Sequence, residues 1–372
     1  MYSATMRAVG ANADFEADLP GHVQRVLRNC LQSRRDEAAD LDPAVGAAVA
    51  ELNDFVLGGG KRIRPTFAWW GWRACGGTAS GPEAEAMLQA ASALELIQTC
   101  ALVHDDLIDE SDTRRGKPTI HRRFEQRHRD SEFTGDDTQF GMASAVLLGD
   151  LALAWADDLL HSAGIPAEAM RRALRPWRAM RTEVLSGQYL DVLGQVNVDE
   201  SPEAALKICQ LKAASYTVQR PLELGAEIAG ATPEALAALR RFGSDIGVAF
   251  QLRDDLLGVF GDPAVTGKPA GDDLREGKRT VLIAEAVAAA QERGDQAALD
   301  LLHEVLGDPQ LTEERVAAAR EVLTELGAVA AVEKRITELT GSAMLALHTA
   351  GLDEPAASRL AELAIAVTDR NH

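Results

Sequence analysis

Three aspartates within five positions, Asp105, Asp106 and Asp109, stand just ahead of an arginine pair, Arg114 and Arg115. A row of carboxylates binds hard divalent cations, and fixed guanidinium charge beside it suits a phosphate. In a helix Asp105 and Asp109 lie four apart and project from one face. Carboxylates without Cys or a paired His at ligand spacing fit Mg²⁺ or Mn²⁺ better than Zn²⁺. Mg²⁺ keeps several waters and takes few carboxylates, so this row is a half-site that a diphosphate would complete. With 57 acids among 372 residues, three acids at this spacing are expected about once by chance. Context sharpens the signal: the acids end a strongly apolar stretch, an unusual place for charge.

A second cluster repeats the idea. Gln251, Asp254 and Asp255 lead into a glycine-bearing segment with Lys268, Asp272, Asp273 and Lys278. Upstream, Gly58–Gly60 precede Lys61 and Arg64. Glycines allow close backbone approach to an anion that the two cations would clamp. The spacing is not that of a P-loop, and a glycine turn with a solvated basic tail is an equally good reading by itself. Two acid-ended helices, each followed by a basic segment, imply that both ends face one cavity.

Helical periodicity dominates the elements that must position these groups. Segments 86–109, 142–162, 170–194, 203–230, 234–260 and 279–294 read as helices, several apolar on more than one face. Such helices belong in the middle of a large bundle. Alternating strand patterns are missing, so the expectation is an all-α fold in a single domain spanning 21–372. Residues 1–20 read as an irregular, mobile N-terminus. Residues 121–140 are highly charged and lack a periodic apolar face, which suggests a long loop: either a lid or a solvated insertion. From 295 on, helical spacing continues with no evident chemistry.

Composition narrows the function. The hydrophobic share is 46% and the formal net charge is −19. That charge argues against a nucleic-acid binder with a basic surface and against a polybasic membrane mode. Four dispersed cysteines, Cys30, Cys75, Cys100 and Cys209, form no CxxC pair and read as reduced cytosolic thiols. No signal peptide is evident, and no stretch reaches the ~18 apolar residues that span a bilayer. The expectation is a cytoplasmic protein without stable membrane insertion.

Together the motifs carry a resemblance. GGGKRIRP at 58–65, DDLID at 105–109 with RRGKP after it, Gly187–Gln188 with Asp191, Lys212, QLRDD at 251–255 and GKPAGDD…GK at 267–278 stand in one order. Over roughly residues 50–285 the chain resembles the trans-isoprenyl diphosphate (polyprenyl) synthases. The resemblance implies an isoprenoid-synthase helical bundle around a central cavity. It also implies an Mg²⁺-dependent prenyltransferase, active as a homodimer, that condenses isopentenyl diphosphate head-to-tail with an allylic prenyl diphosphate. Asp105 and Asp109 would hold two of three Mg²⁺ ions (Mn²⁺ could substitute), with Asp106 in support and Asp254 on the third. Arg114, Lys212, Lys268 and Lys278 would grip the allylic diphosphate, and Gln251 would lie near the reacting carbons. Lys61, Arg64 and Arg115 would hold isopentenyl diphosphate, joined by Gln98 where many members have His. Two departures stand out: Gly258 replaces a third acid in the second cluster, and Ala213 follows Lys212 where Thr is common.

Product length should depend on residues before Asp105 on its helix. Ala101 and Cys100, four and five positions earlier, are small, with Ile97 a turn below. At ~5.4 Å per turn, a missing bulky residue there leaves space for about one more isoprene unit. In the resembled family an aromatic at this level goes with short products. The expected product is therefore geranylgeranyl diphosphate (C20), with farnesyl (C15) and longer chains as alternatives, unless other helices set the floor. A class I terpene cyclase would lack the isopentenyl site, and a head-to-head squalene- or phytoene-type synthase spaces its acids differently. A non-catalytic partner subunit should have lost the first aspartates.

Overall fold

The computed structural model describes residues 15–197, 199–261 and 271–369. Helices α1 (Leu19–Leu41), α2 (Pro43–Leu57), α3 (Ile63–Arg73) and α4 (Pro82–Ile108) come first, followed by a hairpin of β1 (Thr113–Arg114) and β2 (Lys117–Pro118). Then follow α5 (Ile120–Asp130), α6 (Asp137–His161), α7 (Ala167–Asn197) and α8 (Pro202–Ile208). A π-helical segment, Cys209–Gln219, joins α8 to α9 (Arg220–Ala229), and α10 (Pro233–Phe260) follows. The rest is α11 (Asp272–Arg275), α12 (Val281–Arg293), α13 (Gln296–Val305), α14 (Glu313–Glu325), α15 (Ala328–Thr349) and α16 (Ala356–Thr368). The fold is all-α, as expected.

Two long helices matter most for the site. Pro82 opens α4, with Glu83 and Glu85 in its first turn, where acids complement the helix dipole. Thr232 caps α10, its Oγ1 accepting from Ala235 N at 3.2 Å. These helices run 27 and 28 residues, and neither has a basic residue in its last turn. Both carry aspartates near their C-termini instead, where the dipole disfavours negative charge. Cations from elsewhere must compensate.

α4 packs chiefly on α6, and α10 on α15 and the π-helical segment. The larger apolar core surrounds α4 with Phe15, Trp69 and Trp177, and a second gathers the C-terminal half of α10 with α12–α15. The π-helical segment is wedged between α7 and α10 by two glycines. A Cβ on Gly187 would fall 2.7 Å from Lys212 Cα, and one on Gly247 would fall 2.6 Å from Ala214 O. Only Gly permits such backbone approach.

Three expectations need correction. Residues 121–140 are not a loop: Ile120–Asp130 is helix, and α6 begins at Asp137. The buried face of α5 consists of Ile120, His121, Phe124, Glu125 and His128, helical in spacing but mostly polar. Within 1–20, residues 1–14 lie outside the described part, while Phe15 is buried and Leu19 starts α1. Finally, α4 and α6 are long and apolar enough by composition to cross a membrane. In α4 that stretch is 78% buried inside the protein, but in α6 only 39%.

Candidate active site

Both acid-ended helices open on one cavity of about 230 Å³. Asp105 of α4 and Arg114 of β1 border it from one side. Gln251, Asp254 and Asp255 of α10 border it from the other, with Asp191, Lys212, Tyr216, Asp273 and Lys278 between. A larger recess of about 420 Å³ lies between α10 and α15. Its Arg241 is held by Asp245 at 2.7 Å, and it lacks the convergence of acids and lysines that marks the first.

Ion pairs bind the cavity wall together. Arg114 Nε reaches Asp106 Oδ1 at 2.6 Å and its Nη2 reaches Asp105 Oδ2 at 3.4 Å. Lys212 Nζ lies 3.0 Å from Asp105 Oδ1 and 2.6 Å from Asp191 Oδ2. Lys278 pairs with Asp273 at 3.6 Å and with Glu276. Burial opposes charge on Asp105, but Lys212, Lys278 and Arg114 outweigh it and hold the carboxyl below the usual range. Asp109 goes the other way, to about 6, because burial and the Asp105 charge outweigh the two lysines. Asp255 is pushed to about 8 by burial, against the hydrogen bond it accepts from Gln251 Nε2 at 2.8 Å.

This donor set fits a hard cation. Carboxylate oxygens dominate it, and the crowding that raises Asp109 would be relieved by positive charge. Among the described residues no three acidic, His or Cys side chains converge as a closed cage would need. A cation bound here must therefore add waters or substrate oxygens to its shell, the habit of Mg²⁺. The position of Gly258 is informative. A side chain there would overlap the Asp273 carboxylate, so Asp273 of α11 lies against the place where the family pattern has a third acid on α10.

A second group of cations gathers beside this cavity. The β1–β2 turn consists of Arg115 and Gly116, both with positive φ (54° and 70°), the geometry of a two-residue hairpin turn. It aims Arg115 at the glycine segment, where its Nη1 donates to Gly59 O at 2.6 Å. Gly59 and Gly60 hold φ of 113° and 127°, conformations that favour glycine. Arg64 is buried in the first turn of α3; its Nη2 donates to Thr217 Oγ1 at 2.8 Å. Its guanidinium stacks 4.0 Å from the Tyr216 ring centroid. Lys61 is exposed next to Gly60.

The remaining candidates fall into place unevenly. Lys268 lies outside the described residues. Gln98 is half-buried on α4, seven residues before Asp105. Cys100 is buried with Sγ 3.7 Å from His104 Nδ1, and His104 in turn faces Val146 and Asp150 of α6. Ile97 is buried and Ala101 half-buried, while Leu102 borders the cavity. Sequence reading missed Leu102, Tyr216, Thr217 and the place of Asp273. For Tyr216 a signal existed: it stands four residues after Lys212, on the same helical face.

The polyprenyl synthetase family model matches residues 47–323. Among solved structures, the chain is similar to geranylgeranyl pyrophosphate synthase from Corynebacterium glutamicum, crystallised with isoprenyl diphosphate and magnesium. The TM-score is 0.91 at 46% identity, over 96% of this chain and 99% of that one. Geranylfarnesyl diphosphate synthase of Aeropyrum pernix is 33% identical over 75% of this chain and 80% of its own length. For (2E,6E)-farnesyl diphosphate synthase of Mycobacterium tuberculosis the identity is 31%, over 84% and 80% respectively.

Proposed function

The chain belongs to the polyprenyl synthetase family, and on that premise we propose that it condenses isopentenyl diphosphate with allylic diphosphates to make geranylgeranyl diphosphate. The observation that carries the reading is the shared cavity of the two aspartate clusters, with Arg64 and Arg115 beside it. Asp105 and Asp109, with Asp254 opposite, would hold Mg²⁺. When bound, the metal supplies charge stabilisation for the departing diphosphate.

The chain's own residues do the rest. Arg114, Lys212 and Lys278 grip the allylic diphosphate, and Lys268 belongs with them on the family pattern. Lys61, Arg64 and Arg115, with Gln98, hold the isopentenyl diphosphate so that its double bond faces the allylic carbon. Gln251 sits at the level where the new bond forms. Leu102 and Tyr216 shield the electron-poor allylic carbon from water. The double bond attacks the allylic carbon as its C–O bond to the diphosphate breaks, and the released diphosphate takes up the proton that the coupled product loses.

The C20 length rests on the small residues Ala101 and Cys100 before Asp105, and on the relative of 46% identity that carries that name. The homodimer implied by the family would bury the exposed apolar faces of α6 (Met142, Val146, Leu147) and α7 (Leu185, Tyr189, Leu193, Val196). Four free thiols suit a cytoplasmic setting.

The deciding experiment incubates pure protein with Mg²⁺, labelled isopentenyl diphosphate and dimethylallyl, geranyl or farnesyl diphosphate in turn. Consumption of label with a C20 end product is expected. Failure to consume it with any primer would overturn the synthase reading, and a stop at C15 would overturn the length.

A further inference from the structure

Two arginines at the start of α3 are treated very differently by the fold. Arg62 is fully committed: Nη1 meets Glu95 at 2.5 Å, and Nη2 donates to Val56 O at 2.9 Å. Arg64 is just as buried, with 8% exposure. Yet among the described residues no carboxylate pairs with it, and its Nε–H has no hydrogen-bond partner. What it has is the Thr217 hydroxyl at 2.8 Å and the Tyr216 ring at 4.0 Å. A desolvated cation with so little compensation is an incomplete arrangement. Its planar fork suits a phosphate group.

Both partners come from the π-helical segment that also carries Lys212. In an i→i+5 ladder, residues four and five apart share a face, which aligns Lys212 with Tyr216 and Thr217. Tyr216 therefore has two neighbourhoods. It borders the aspartate cavity, and it lies beneath Arg64. The ring restrains the plane of the guanidinium by cation–π attraction, and the hydroxyl restrains its rotation.

We propose that Tyr216 and Thr217 are positioning residues that hold Arg64 for the diphosphate of isopentenyl diphosphate, so that one π-helical segment sets both diphosphate sites. The identity of that ligand rests on the synthase reading above. Neither residue needs to touch the second diphosphate; each acts through Arg64.

Metal-free calorimetric titration with isopentenyl diphosphate and with inorganic diphosphate tests this directly, alongside steady-state kinetics with Mg²⁺. Tyr216→Leu, which removes the ring, should weaken both ligands about tenfold, and Tyr216→Phe should restore them to within about twofold. Thr217→Val should weaken them by a similar factor and Thr217→Ser should recover the loss. In turnover the Thr217→Val effect should fall on the KM for isopentenyl diphosphate, with the allylic KM moving less than about twofold. Binding unchanged in Tyr216→Leu and Thr217→Val, no rescue by Phe and Ser, or no diphosphate binding by the wild type would each overturn the proposal. If the variants behave as expected but the wild type turns over no isopentenyl diphosphate, the synthase reading falls and the assignment of Tyr216 and Thr217 stands.

Discussion

At the ends of α4 and α10 the cations already have acids to hold. Arg114, Lys212 and Lys278 each sit in ion pairs with cavity aspartates. Near Gly58–Gly60 the opposite holds: among the described residues neither Arg64 nor Arg115 pairs with a carboxylate, and each makes one hydrogen bond. On the first side Asp105, Asp106, Asp109, Asp191, Asp254 and Asp273 outnumber Arg114, Lys212, Lys278 and Arg279, so a diphosphate would meet net negative charge. Divalent ions must reverse that sign before an anion can settle. On the second side Arg64 and Arg115 stand without a carboxylate in ion-pair contact. On the proposed reading the two halves would recognise the same chemical group by different routes, one through metal and one through arginine.

The harshest way to break this comparison is Asp105→Ala. It should lower kcat about a thousandfold or more, with far-UV circular dichroism unchanged; retained turnover would sink the metal assignment. Next comes chelation. Removing divalent ions should weaken binding of an allylic diphosphate about a hundredfold while changing isopentenyl diphosphate affinity less than about threefold. Equal losses at both sites would erase the proposed division. Acidity should separate the halves too. Asp109, with a carboxyl pKa near 6 from burial and Asp105, gains a proton as pH falls from 7 to 5. Protons then compete with metal, so the Mg²⁺ concentration for half-activation should rise about tenfold. A guanidinium does not titrate in that range, so the arginine half has no such competition. The mildest change is Ala101→Phe, which should shift the chief product from C20 to C15, read by chromatography, with kcat within about threefold. An unchanged chain length would move the floor to other helices.

Much of this was legible in the sequence because the decisive residues end apolar helices. Charge in such a place has few structural uses, so the convergence of Asp105 with Asp254 could be anticipated. Other features were hidden by the chemistry of their partners. The buried face of α5 uses His121, Glu125 and His128, polar groups that a search for aliphatic periodicity passes over. Thr217 is 153 residues from Arg64, and no local pattern links a ring and a hydroxyl to a distant guanidinium. Cys100 and Ala101 are adjacent in the chain but turn about 100° apart on a helix of 3.6 residues per turn. One consequently reaches His104 and the α6 side. Spacing from Asp105 alone could not resolve that difference.

The glycine at 258 has a consequence for how this site could change by mutation. Its missing side chain leaves room that the Asp273 carboxylate fills from α11. A side chain at 258 would therefore require the Asp273 carboxylate to turn aside, which couples the two positions across distant codons. Introducing Asp at 258 alone should impair the site through crowding and repulsion. Pairing it with Asp273→Gly should recover part of the loss. Position 258 is thus one where regaining an acid depends on what a residue fifteen positions later does with its own.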